Sequence, residues 1–166
     1  MKEVNEQMKN ENTRRRLAMA VKITCAILFF IYLAYLLFLT FFSRYYGRGF
    51  FTYRRINIIP LKTILLYASS SFNTNIIVTN LLGNILAFVP MGFLVPLVWR
   101  KLSGFIKILL VSFAASLAIE IAQYITGAGA ADIDDLILNT AGGILGYIFY
   151  YILKILPVWQ YGKRRS

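Results

Sequence analysis

The chain has 166 residues, 58% of them hydrophobic and only 15% charged, where a soluble domain carries about a quarter. It has no histidine and one cysteine, Cys25, which excludes an intrachain disulfide, a cysteine-based metal site and a histidine base or zinc ligand. A net charge of +11 would point to nucleic acid in a soluble protein; in so apolar a chain the basic residues read as topology signals, and no nucleic-acid partner is expected.

In chain order, a basic segment comes first, over 1–18, with Lys2, Lys9, Arg14, Arg15 and Arg16. Ile23–Phe42 then runs 20 residues without a charge. That is enough to cross the ~30 Å of hydrocarbon in a bilayer, and it is too long for a signal-peptide h-region. It reads as a retained helix over about 19–42. The loop that follows carries Arg44, Arg48, Arg54, Arg55 and Lys62. Within it, Ile56–Tyr67 (INIIPLKTILLY) is apolar but too short to span, and Pro60 suits a helix start. The expectation is a short helix lying in the membrane interface. Asn57, Arg54 and Arg55 are candidate head-group contacts at this level, anchoring being the simpler role of the segment.

Ile76–Trp99 is 24 residues without a charge and predicts a second spanning helix over 76–98, with Pro90 and Pro96 kinking it. Ser103–Ile125 predicts a third, over 104–125, broken only by Lys107 near one end and Glu120 deeper in. Leu136–Leu153 is 18 uncharged residues and predicts a fourth, over 135–156. A basic tail over 157–166 closes the chain. The fold class is therefore all-α: a polytopic integral-membrane bundle of four helices over 19–156, with a short interfacial helix in the first outer loop. Basic residues crowd the N-terminal segment, the link at Arg100 and Lys101, and the C-terminal Lys163, Arg164 and Arg165. The positive-inside rule then puts both termini in the cytoplasm, although the basic first loop obeys it poorly.

Polar residues recur at one end of these spans. Asn80 and Asn84 are four apart on the second helix, Glu120 and Gln123 three apart on the third, and Asp135 and Asn139 four apart on the fourth. Each pair shares a helix face. All fall at a similar depth, near the outer leaflet, beside Asp132 and Asp134. A carboxylate inside hydrocarbon costs several kcal/mol unless paired, protonated or wetted, so Glu120 marks a functional site by default. Simpler roles are weighed alongside. One of the three aspartates caps the fourth helix. The asparagines serve equally as inter-helix hydrogen-bonding glue, Ser112 and Ser116 bond back to their own helix, and Gly142 and Gly146 with Gly143 form a close packing face. That face would also allow a homodimer.

The segments NLLGNILAFVPMGFLVP, SLAIEIAQ and DIDDLILNTAGGILGY, with INIIPLKTI in the loop, resemble the VanZ-like family from about Tyr32 to Tyr150. The motif positions are Asn80, Asn84, Pro90, Glu120, Gln123, Asp132, Asp134, Asp135 and Asn139. The resemblance implies a bacterial cytoplasmic-membrane protein of the cell envelope. It also implies reduced susceptibility to teicoplanin-type lipoglycopeptides, without naming a reaction. Two readings follow. In the first, a non-enzymatic protein binds membrane lipid, a lipid-linked envelope precursor or the lipoglycopeptide through Asn80, Asn84, Glu120, Gln123, Asp132, Asp134, Asp135 and Asn139. In the second, those carboxylates hold a divalent cation and the protein is an enzyme modifying a lipid head group. The absence of a nucleophile motif favours the first. Transport ranks third, because only serines continue the polar stripe below Glu120.

Overall fold

A computed structural model describes residues 1–42, 56–69 and 74–156. The sequence-predicted contacts Arg54 and Arg55 lie outside the described residues, as do Arg44 and Arg48. Among the described residues, five helices and two minimal strands follow in order: α1 (Lys2–Phe42), β1 (Ile56–Asn57), α2 (Lys62–Ser69), α3 (Thr74–Val98), α4 (Phe105–Thr126), β2 (Ala131–Asp132) and α5 (Ile133–Ile155). A single 3-10 turn, Arg100–Leu102, joins α3 to α4.

Four of these helices, α1, α3, α4 and α5, are long and apolar enough to cross a membrane. The predicted spans are therefore present, each within about two residues where it was expected, apart from α1. The basic N-terminal segment does not break away from the first span. It continues as one helix of 41 residues, about 60 Å long, roughly twice the hydrocarbon thickness. Its first half is exposed on every described side. Among its described residues only Phe29, Leu36 and Thr40 are buried, at spacings that keep one stripe of the helix against the bundle.

Residue size determines how the other three pack. Helix α5 lies closest to α3, with α4 on another side and α1 against α3. A Cβ on Gly142 would overlap the Ile85 carbonyl, and one on Gly146 the Val89 carbonyl. A Cβ on Gly92 of α3 would in turn overlap the Gly143 carbonyl. The two backbones touch because no side chain stands between them, the usual basis of tight association in lipid. The expected glycine packing face is thus present, and it is used within the chain.

The apolar core gathers Phe88, Met91, Val95 and Val98 from α3, Phe29 and Leu36 from α1, and Ile108 from α4. Trp99 stacks edge-on to Phe29, with ring centroids 5.1 Å apart. Pro90 and Pro96 lie inside α3. The Tyr32 hydroxyl donates to the Ala87 carbonyl at 2.7 Å, beside the gap that Pro90 leaves in the backbone ladder. Helix α4 stops at Gly127, which takes the left-handed conformation (φ 69°) suited to a residue without a Cβ.

Candidate functional site

The short loop helix expected after Pro60 is present as α2, and its position is fixed by acids from elsewhere in the chain. The first N–H groups of a helix lack internal partners. Here the Asp134 carboxylate supplies them across 70 residues or more of sequence. It accepts from Leu61 N (2.5 Å), Thr63 N (2.7 Å) and Ile64 N (3.2 Å). Asp134 is fully buried in doing so. Leu61 adopts a positive φ of 64°, uncommon for a side-chain-bearing residue, and its amide is turned onto that carboxylate.

Asp132 is the N-cap of α5: its Oδ1 accepts from Asp134 N at 2.9 Å. The same oxygen accepts from Asn57 Nδ2 (2.9 Å), while Oδ2 accepts from the Thr63 hydroxyl (2.6 Å). Asn57 also donates to Thr63 Oγ1 at 3.0 Å. Strand β1 pairs in parallel with β2, Ile56 opposite Ala131 and Asn57 opposite Asp132. Together these contacts clasp the segment from Ile56 to Ile64 onto the start of α5. Neither the two-residue sheet nor the role of Thr63 was foreseen. A lone threonine in an apolar run carries no signal by itself, and a strand of two residues has no period to detect.

The three aspartates thus separate by role. Asp132 and Asp134 hold the loop, and Asp135 faces a different way. It lines a cavity of about 40 Å³ with Asn84, Glu120, Gln123, Asn139 and Thr40, walled by Leu36, Leu39, Ala87, Phe88 and Ile119. Five of the eight predicted ligand-binding residues meet there, from α3, α4 and α5. Asn80, one turn from Asn84, is half-buried and engaged in a contact of its own, and it is not among the lining residues. Asn57, Asp132 and Asp134 are in the clasp instead. Thr40 of α1 is the lining residue that sequence reading missed, because it sits in a run, LLFLTFF, that reads simply as membrane-spanning.

The lining is tied internally. Asn84 Nδ2 donates to Asp135 Oδ1 at 2.5 Å, linking α3 to α5. Gln123 Nε2 donates to the Thr40 carbonyl at 3.2 Å, linking α4 to α1. Asn139 Nδ2 donates to Ser116 Oγ at 2.9 Å, linking α5 to α4. Glu120 Oε2 accepts from Asp132 N at 2.9 Å and so joins the cavity to the clasp. The serines differ from expectation. Ser116 accepts from Asn139 across the helix interface, and Ser112 Oγ is buried against Gly143 without a hydrogen-bond partner among the described residues. The close approach of α5 at Gly143 brings both hydroxyls to the interface. Among the described residues, no three acidic side chains group as they would to ligate a metal ion.

Four helices long and apolar enough to cross a membrane, each placing polar side chains on one shared cavity, define a multi-pass membrane protein. The VanZ/LLP1 family model matches residues 29–154, and the chain belongs to that family. It is 32% identical over 123 residues to Protein VanZ of Enterococcus faecium, covering 72% of this chain and 69% of that one. No solved structure matches it.

Proposed function

We propose that the protein acts in the bacterial cytoplasmic membrane, with both termini in the cytoplasm and the clasped end at the outer leaflet. There it binds a lipidated or lipid-linked amphiphile and lowers susceptibility to teicoplanin-type lipoglycopeptides. The observation that carries this reading is the cavity. Polar side chains from four helices converge on it, Glu120 and Asp135 among them, and its other walls include Leu36, Leu39 and Phe88. A polar end group would enter the cavity while its acyl part lies against the apolar helix faces. Such acids inside a bilayer are retained at a cost of several kcal/mol, which binding of a ligand would offset. The 32% identity to Protein VanZ supports a VanZ-like membrane protein.

The test is susceptibility in a sensitive Gram-positive host expressing wild type, Glu120→Gln or Asp135→Asn at matched membrane levels. Teicoplanin and vancomycin are assayed in parallel. Wild type should protect selectively against the lipidated drug, and both variants should lose most of that protection. Equal protection by all three proteins would remove the cavity from the account.

A further inference from the structure

We infer that the basic end of the bundle, opposite the cavity, holds the phosphate of an anionic phospholipid. The phosphate lies between Lys107 of α4 and Lys154 of α5, against the hydroxyls of Ser103 and Tyr150. The site is separate from the cavity and does not depend on what the cavity binds.

Charge is sorted along this chain. Of its acids, Glu3, Glu6 and Glu11 lie early in α1, and the others are Glu120 and the three aspartates of the clasp and cavity. At 1.5 Å per residue, Glu120 is about 20 Å along α4 from Lys107. Phe29 meets Trp99 at the basic end, and Glu11 is about 27 Å further along α1 by the same rise. Between these two groups of acids stand Lys22, Arg100, Lys101, Lys107 and Lys154, all exposed. Arg100 and Lys101 follow the end of α3, Lys107 is in the first turn of α4 and Lys154 in the last turn of α5. These are the ends of spanning helices, the depth of phospholipid headgroups, where basic clusters attract anionic lipid.

Sorted charge alone would serve only to orient the chain in the membrane. Two local features go further. The ammonium groups are tethered: Lys107 Nζ donates to the Lys101 carbonyl at 2.7 Å, which holds the side chain over the turn that contains Ser103. An ammonium has three donors, so this bond leaves two. Lys154 Nζ lies 5.8 Å from the centre of the Tyr150 ring. Between the two, Ser103 Oγ and Tyr150 OH are 3.4 Å apart. Two hydroxyls carry two hydrogens and share one bond, so whichever donates, the other hydrogen has no acceptor among the described residues. Both residues are half-buried, and a headgroup can reach them. Hydroxyl and ammonium donors together suit an acceptor that carries negative charge, and a phosphate oxygen is one. Phospholipid is the phosphate present at this depth, and its acyl chains would lie on exposed Ile106 and Ile152 of the same two helices. A choline next to the phosphate would add a cation to a cationic end, so the net-negative lipid is preferred.

The experiment is native mass spectrometry of the full chain, titrated with phosphatidylglycerol and with phosphatidylcholine of identical acyl chains. Glycerol 3-phosphate serves as a soluble competitor. Phosphatidylglycerol should bind about tenfold more tightly than phosphatidylcholine or better, and glycerol 3-phosphate at equal concentration should not displace it. Lys107→Gln and Lys154→Gln should each weaken phosphatidylglycerol binding about fivefold. Ser103→Ala with Tyr150→Phe, which removes both hydroxyls and keeps the ring beneath Lys154, should weaken it severalfold. Arg16→Gln on α1 removes the same charge away from the site and should change nothing. Equal binding of the two lipids by wild type overturns the inference, whether or not any variant folds. An equal loss in every variant, Arg16→Gln included, also overturns it and leaves only general attraction by charge. Displacement by glycerol 3-phosphate overturns the assignment to lipid.

Discussion

Replacing Asp134 by alanine should release α2 from the bundle without unfolding the bundle. The carboxylate accepts three backbone N–H groups, at 2.5, 2.7 and 3.2 Å, and is itself fully buried. Each such amide held away from water without a partner costs about 1–3 kcal/mol. The gross penalty is therefore at least ~3 kcal/mol by the same figures. The chain has a way to avoid the larger values, because lifting the Ile56–Ile64 segment returns the amides to water. The observable consequence is local opening, favoured by about 3 kcal/mol or roughly 100-fold. Hydrogen exchange on protein in nanodiscs reads this directly. The amides of Leu61, Thr63 and Ile64 should exchange about 100-fold faster in Asp134→Ala, by that conversion. Those around Ser112 and Ser116, in the middle of α4, should be unchanged. Asp134→Asn keeps one acceptor oxygen and should fall between the two. Unchanged protection of Thr63 and Ile64 in Asp134→Ala would refute the clasp.

Gly142→Ala should destabilise the protein by about 3 kcal/mol, since its Cβ would overlap the Ile85 carbonyl and neither backbone can yield alone. Gly104→Ala, whose Cβ would meet only the Lys107 side chain at 3.7 Å, puts a poorer N-cap on α4 and should cost only about 1 kcal/mol or less; thermal unfolding in detergent compares the two. Ser112→Ala removes a buried hydroxyl that has no hydrogen-bond partner among the described residues, and should leave stability unchanged or raise it by up to ~1 kcal/mol. Ser116→Ala strands the Asn139 amide and should cost about 1–2 kcal/mol in the same assay, so the reverse order would contradict the assigned hydrogen bonds.

The helices were legible because their signals are collective. Eighteen or more uncharged residues in a row leave few alternatives, and α3, α4 and α5 start and stop close to where those runs do. The cavity was legible for a related reason: Asn84, Glu120, Gln123, Asp135 and Asn139 recur at helical spacing and at one depth, and antiparallel neighbouring helices bring equal depths together. Assigning the aspartates was harder. Asp132, Asp134 and Asp135 are nearly adjacent in sequence, yet the first caps its own helix, the second caps α2 and the third turns into the bundle. Around the first turn of a helix, successive residues point some 100° apart, so which neighbour each carboxylate meets depends on where the loop helix docks. The docking itself rests on contacts separated by about 70 residues, Asn57 with Asp132 and Thr63 with Asp134. Periodicity carries no information about contacts of that kind. Thr40 was hidden for the opposite reason, as one hydroxyl within an otherwise apolar span.

The central claim is that the cavity between α1, α3, α4 and α5 is where the protein meets its amphiphile from the outer side. Thiol labelling in intact cells tests it most directly. Cys25→Ser removes the chain's single cysteine, and Leu39→Cys then puts a thiol on the apolar wall of the cavity. In cells protected by this protein against teicoplanin, a membrane-impermeant maleimide added outside should label residue 39. Labelling should be slowed by the lipidated drug, and the modified cells should lose protection. Labelling that proceeds fully while protection is unchanged would contradict the claim and place the functional surface elsewhere.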